Sequence, residues 1–177
     1  HHFPQFENIT WLIVENSISF LQNIAKYHLE QFHLKTIGIT GSNGKTIVKE
    51  WLYQSLFHDF VTVKSPKSFN SQLGLPLSLL EINKKHQLGI FEVGISKPHE
   101  MEILEDIFSP QIGILTHIGS AHSSNFDSID QLIDEKIKLF RNSEIIIFNG
   151  DNELVFNKIS EIYSSKKLIS FGFKNHN

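Results

Sequence analysis

GITGSNGKTIVKE, residues 38–50, decides how the chain is read. The apolar run KTIGIT (35–40) enters it and a helix-patterned run, KTIVKEWLYQSLF (45–57), leaves it. Backbone N–H groups of a glycine-rich turn, with the start of a helix behind them, form a cradle for an anion. Gly41 and Gly44 permit the tight backbone, and Ser42 and Asn43 fill the turn between them. Lys45 would reach the terminal phosphates of a nucleotide, and Thr46 would offer its hydroxyl to Mg²⁺. The spacing is G-x-x-G-K-T rather than the commoner G-x-x-x-x-G-K-[ST], because Ile39 stands five residues before Gly44. A purely structural glycine turn competes with this reading, and the strand–loop–helix setting argues against it.

Outward from this stretch, short apolar runs alternate with helix-patterned ones. The runs at 11–15, 35–40, 60–64, 88–94, 112–118, 144–149 and 167–173 predict strands. Residues 17–32, 45–57, 76–82, 97–108, 128–140 and 152–165 predict helices. Val48, Trp51, Leu52 and Leu56 would form the inward side of the second helix, and Pro98 would sit in the first turn of the fourth. Ser128 and Gln131 have capping-box spacing. Continuous apolar strands with intervening helices indicate a doubly wound, mostly parallel α/β sheet, helices on both faces, of the P-loop NTPase kind. Ligands of such sheets bind at the carboxyl ends of the strands. The loops after residues 40, 64, 93, 117 and 149 should therefore face the site.

Composition narrows the partners. A chain of 177 residues with 40% hydrophobic and 20% charged residues can bury a sizeable core. A net charge of −3 without a basic block argues against nucleic acid. The lack of cysteine excludes disulfides and thiolate metal sites. No apolar run is long enough to insert in a membrane. His1 and His2 are assigned no function.

Four residues outside the loop suggest chemistry. Glu92 ends the buried run LGIFE, where a carboxylate needs a cation; a Mg²⁺ ligand and a salt-bridged strand-end acid are the two readings. His122 follows the next strand and could approach the same ion, or be an ordinary loop histidine. Asn70 lies in another such loop, as a site residue or a turn former. Lys136 falls in the middle of the stripe Ile129, Leu132, Ile133, Ile137 and Phe140. It either snorkels to an edge or has a charged task, such as chemical modification of its amine to carry negative charge.

TGSNGKT (40–46), KSFNSQLGLPLSLLEI (67–82), FEVGISKPHEM (91–101) and HIGSAHSSNF…EKIKLF (117–140), in that order, resemble the central ATPase domain of the Mur ligases. Within that family the motifs are most similar to members that add D-alanyl-D-alanine to UDP-N-acetylmuramoyl-tripeptide, and closest to a form fused to alanine racemase. The resemblance implies ATP and Mg²⁺ as cofactors, those two substrates as partners, and the bacterial cytoplasm as location. Pyridoxal phosphate would belong only to a racemase portion further downstream. It implies a phosphate role for Lys45, magnesium roles for Thr46 and Glu92, and a place for Asn70 near both. His122 would serve a second Mg²⁺, which Lys136 would ligate as a carbamate. Residues 1–32 would end an N-terminal UDP-sugar-binding domain, and 33–177 would form the central ATP-binding domain, incomplete at its C-terminal end. The flanking domains of the same chain are then partners too. Ile47, His117 and Ser120 depart from the family pattern, and none removes an assigned residue. Other readings are a different ligase of the superfamily, such as folylpolyglutamate synthase, a P-loop kinase or switch NTPase, and a module that only binds nucleotide.

Overall fold

Apolar strands separated by helices leave one economical arrangement, a sheet covered on both faces. The computed structural model, which describes residues 10–119 and 125–173, has that arrangement. The strands are β1 (Lys35–Thr40), β2 (Thr62–Lys64), β3 (Leu88–Glu92), β4 (Ile112–Leu115), β5 (Ile145–Asn149) and β6 (Lys167–Phe171). They run parallel in the order β2-β3-β1-β4-β5-β6. The helices are α1 (Ser17–Glu30), α2 (Lys45–Leu56), α3 (Gly74–Leu79), α4 (Glu100–Ile107), α5 (Ile129–Ile137) and α6 (Glu153–Ile162). None of the described helices is long and apolar enough to cross a membrane.

This topology puts β1 between β3 and β4, so the glycine loop opens at the middle of the carboxyl edge. The chain leaves β1 for β2 on one side and later adds β4 on the other, which makes this a switch point where such sheets bind ligands. The register pairs Ile39 with Glu92 and Thr40 with Leu115. Glu92 therefore ends its strand beside the start of the loop.

Strand side chains alternate between two cores. On one face, Ile37, Ile39, Leu88, Ile90 and Ile114 meet Val48, Leu52, Tyr53 and Leu56 of α2. On the other, Phe91, Leu115, Ile146 and Phe148 join a larger cluster that includes Met101 and Leu104 of α4 and Leu132 and Ile133 of α5. Helix α1 packs on α3 and α4. It turns Gln22 and Ala25 inward, while Ile18 and Ile24 are exposed. Gln22 Nε2 donates to Gln72 O at 3.1 Å.

Several expectations need correction. Residues 11–15 form no strand and join no ladder with the described strands; β propensity is realised only against a partner. Trp51 is 67% exposed rather than inward. The stripe of α2 that meets the sheet runs through Val48, Lys49, Leu52, Tyr53 and Leu56, and Trp51 lies on the opposite side. Helix α4 starts at Glu100, after His99 at φ 67, and Pro98 stays outside it. The Glu100 carboxylate accepts from Ser96 N at 2.6 Å and Lys97 N at 3.0 Å, which folds the preceding residues into a turn. At α5, Ser128 Oγ accepts from Gln131 N as expected, but Gln131 Oε1 accepts from Asp127 N, one residue before the cap.

Candidate functional site

The glycine loop is shaped by the end of β4. Gly41 has φ 144 and Gly44 φ 85, both in the region that favours glycine. A Cβ on Gly41 would lie 2.0 Å from Thr116 Oγ1. That hydroxyl donates to Asn43 O at 2.7 Å and lies 3.1 Å from Thr40 O. Ser42 N donates to His117 O at 2.8 Å, and Ser42 Oγ to Gly119 O at 3.1 Å. Gly44 caps α2 without a side-chain hydrogen bond, so the first N–H groups of that helix are left for an anion.

Two lysines converge on the loop. Lys45 Nζ donates to Gly41 O at 2.8 Å and to Ser42 O at 3.4 Å. Burial pulls its pKa down, against the opposing charge of Glu92. Lys136 comes from α5 on the opposite face of the sheet and donates to the same Gly41 O at 3.2 Å. Its side chain is not at an edge: it is 1% exposed. Burial, with the Lys45 charge adding to it, lowers its pKa to about 7.

On the other side of Lys45 lies an oxygen cluster. Glu92 is fully buried at the end of β3. Its Oε2 accepts from Thr46 Oγ1 at 3.1 Å and from Asn70 Nδ2 at 3.4 Å. Thr46 Oγ1 is also 3.2 Å from Ser68 Oγ, and Glu92 N donates to Ser65 Oγ at 3.0 Å. The second carboxylate oxygen, Oε1, makes no hydrogen bond; Lys49 Nζ stands 2.9 Å away as an ion pair without hydrogen-bond alignment. Glu92 is thus salt-bridged to Lys49, and its other oxygen faces the hydroxyl of Thr46. A buried carboxylate, a hydroxyl and an amide are hard oxygen donors that suit Mg²⁺. Among the described residues, no three His, Cys, Asp or Glu gather into a metal cage. Mg²⁺ sites completed by substrate phosphates need none.

Gly41, Ser42, Asn43, Gly44, Lys45, Thr46, Asn70, Glu92 and Lys136 therefore meet at one place. His122 lies outside the described residues. Sequence reasoning missed Lys49, Ser65, Ser68 and Thr116. A signal for Lys49 existed, since Leu52, Tyr53 and Leu56 follow it at i+3, i+4 and i+7. A cleft of about 410 Å³ opens beside Lys45, bounded by Asn70, Ser96 and Ile18. On the α2 side of the loop an apolar groove of about 680 Å³ runs past Ile114, His117, Ile147 and Phe171.

Residues 39–177 match the family model described as Mur ligase middle domain. Over 173 residues the chain is 37% identical to the UDP-N-acetylmuramoyl-tripeptide–D-alanyl-D-alanine ligase of Borreliella burgdorferi, covering 96% of this chain and 37% of that one. It superposes on MurF from Acinetobacter baumannii with a TM-score of 0.86 at 30% identity, covering 91% of this chain and 36% of that one. The MurF ligase of Thermotoga maritima in complex with ADP gives 0.83 at 29% identity, with 93% and 38% covered. The chain spans about a third of the length of the curated relatives it matches.

Proposed function

The chain belongs to the Mur ligase family, and on that premise we propose that it is the ATP-binding part of a cytoplasmic enzyme of bacterial peptidoglycan synthesis. The enzyme joins D-alanyl-D-alanine to UDP-N-acetylmuramoyl-tripeptide through an acyl phosphate. One observation carries this reading: a buried lysine, Lys136, and the loop lysine, Lys45, meet at Gly41 O, next to the Thr46–Glu92 pair. A kinase or switch NTPase has no task for the first of them.

The amine of Lys136, with its pKa near 7, is substantially neutral at neutral pH. Its lone pair can attack CO₂; a nitrogen–carbon bond forms and a proton leaves to solvent, giving an anionic carbamate. The carbamate and His122 would hold one Mg²⁺, and Thr46 and Glu92, with Asn70 beside them, another. Mg²⁺, when bound, supplies positive charge to the phosphoryl oxygens and to the attacking carboxylate.

The remaining work falls to the chain itself. Backbone N–H groups of the loop and of the first turn of α2 orient the phosphates. Lys45, released from Gly41 O, donates to the γ-phosphate and offsets its charge in transit. The tripeptide carboxylate, entering from the cleft beside Lys45, attacks the γ-phosphorus, and the bond to ADP breaks. The amine of D-alanyl-D-alanine then attacks the acyl carbon, the amide bond forms, and phosphate and a proton leave. Residues 1–32 close the domain that holds the UDP-sugar, and 33–177 supply the ATP-binding domain.

The test is ADP release by the full-length protein. Release that needs both UDP-N-acetylmuramoyl-tripeptide and D-alanyl-D-alanine is the expected result. Release without either acceptor would assign the chain to an NTPase, and release driven by a folate to a folylpolyglutamate synthase.

A further inference from the structure

Lys49 is a second buried lysine, and a phosphate cradle does not require it. It sits one turn after Lys45 on α2, with its side chain fully buried. Its Nζ donates to Ser65 O at 2.9 Å and to Lys67 O. The same nitrogen lies 2.9 Å from Glu92 Oε1 and 3.2 Å from Glu50 Oε1. An ammonium is retained away from water only when its protons and charge are met. Here that requirement joins three segments at one atom: the helix of the phosphate loop, the turn after β2, and the end of β3. Lys67 itself has φ 48, a left-handed conformation uncommon outside glycine, so the turn is held in a shape it would not choose alone. That turn delivers Ser68 and Asn70.

We propose that Lys49 is a positioning residue for the magnesium site. It holds Glu92 Oε1, so that Oε2 alone is turned to Thr46 and Asn70. By gripping the carbonyls of Ser65 and Lys67 it also fixes the turn that brings Ser68 and Asn70 to the same place. The inference rests on the reading of Glu92 as a magnesium ligand and adds to it the device that aims the ligand. Mg²⁺ demands near-ideal octahedral geometry, so a carboxylate free to rotate binds it less well. Simple electrostatics gives the opposite sign. Deleting an ammonium beside a carboxylate should strengthen the pull of that carboxylate on a cation. The direction of the change therefore separates aiming from charge.

The experiment uses the full-length protein as Lys49→Met, Glu92→Gln and the double variant. ADP binding is measured by calorimetry in EDTA and across a Mg²⁺ titration, with the thermal midpoint recorded for each. In Lys49→Met the half-saturating Mg²⁺ concentration should rise about tenfold, the scale on which residues that orient a metal ligand act. Binding of ADP in EDTA should stay within about twofold, and so should the Mg²⁺ midpoint when Lys49→Met is added to Glu92→Gln. An unchanged or lowered midpoint in Lys49→Met overturns the proposal, as does an equal shift when the substitution is made on top of Glu92→Gln. If Glu92→Gln alone leaves the Mg²⁺ dependence untouched, the ligand reading of Glu92 fails and this inference fails with it. A shifted Glu92→Gln beside an unshifted Lys49→Met sinks only the role of Lys49. Should Lys49→Met not fold, the double variant decides. Recovery of the fold with the Mg²⁺ midpoint of Glu92→Gln supports the pairing. A double variant that also fails to fold assigns Lys49 to the fold alone and overturns the proposal.

Discussion

Gly41 O accepts from Lys45 at 2.8 Å and from Lys136 at 3.2 Å, and one carbonyl cannot neutralise two ammonium groups. The deeper of the two yields. Burial first, and the Lys45 charge second, bring the Lys136 pKa to about 7, from about 10.4 for an unfolded lysine. Because the folded value is the lower one, the cost of charging Lys136 is fully present below pH 7. It shrinks as pH rises and is gone above the unfolded value, so this lysine makes stability increase with pH across that window. The same neutralisation exposes an amine able to capture CO₂. With ¹³C-bicarbonate, a carbamate signal should be present at neutral pH, fade as pH falls below about 7 and the amine is protonated, and be absent from Lys136→Ala. A signal undiminished well below that pH, or surviving the substitution, would contradict the assignment. Lys136 could be singled out from sequence because Leu132, Ile133, Ile137 and Phe140 enclose it in one helical stripe. Lys49 is harder to see once Trp51 is placed inward, because that turns α2 and moves Lys49 from the middle of the buried stripe to its margin. A large aromatic is a poor guide to helix orientation when the sheet beneath has room for Val48, Leu52 and Leu56.

At the scale of elements, the strand–loop–helix unit is fastened by a residue that belongs to none of its parts. Thr116 N donates to Thr40 O at 2.9 Å, which continues the ladder, while its hydroxyl reaches Asn43 O inside the loop. Replacing Thr116 by Val keeps the shape and the ladder but removes the donor to Asn43 O. The cost should be about 0.5–1.5 kcal/mol, the net worth of one hydrogen bond, because Asn43 lies in an exposed part of the loop where water can replace the donor. For a chain of this size that lowers the thermal midpoint by about 2–4 °C per kcal/mol. ADP affinity should fall as well, and Thr116→Ser, which keeps the hydroxyl, should recover most of both. A Val variant with unchanged ADP affinity would mean that the loop holds its shape without β4. Apolar runs were enough to read the six parallel strands: β1 and β3 are buried on both faces, which leaves a continuous pattern, and β6 reads as apolar although it is mostly exposed. They overran the ends of β3 and β4, where Val93 and Ile118 carry the apolar pattern on past Glu92 and Leu115 while the backbone turns away to build the site. Gly94 N, for example, donates to Asn70 O at 2.7 Å. The start of α4 was hidden for another reason: the carboxylate of Glu100, rather than Pro98, sets it.

For the whole molecule, the question is what this chain can do by itself. Among the described residues, the contacts that shape its phosphate cradle come from Thr116, His117 and Gly119 after β4 and from Lys45 and Lys136 of α2 and α5. The surroundings are open. The cleft beside Lys45 leads to solvent past Asn70 and Ser96, and the groove on the other side exposes Ile147 and Phe171. Nucleotide binding asks mainly for the cradle. Ligation asks in addition that a carboxylate and then an amine be held in line, and that water be kept from the acyl phosphate. Misplacement by about 1 Å costs roughly a hundredfold in such reactions, and among the described residues no surface encloses the second acceptor. The purified 177-residue chain should therefore bind ADP yet form little or no amide product from ATP, UDP-N-acetylmuramoyl-tripeptide and D-alanyl-D-alanine. Calorimetry with ADP serves as the control for folding, and chromatographic detection of the pentapeptide product is the readout. Product at a rate near that of the full-length protein would show that the chemistry needs only the carboxyl edge of this sheet. ADP binding without product would instead place alignment of the acceptors in the parts of the protein outside this chain.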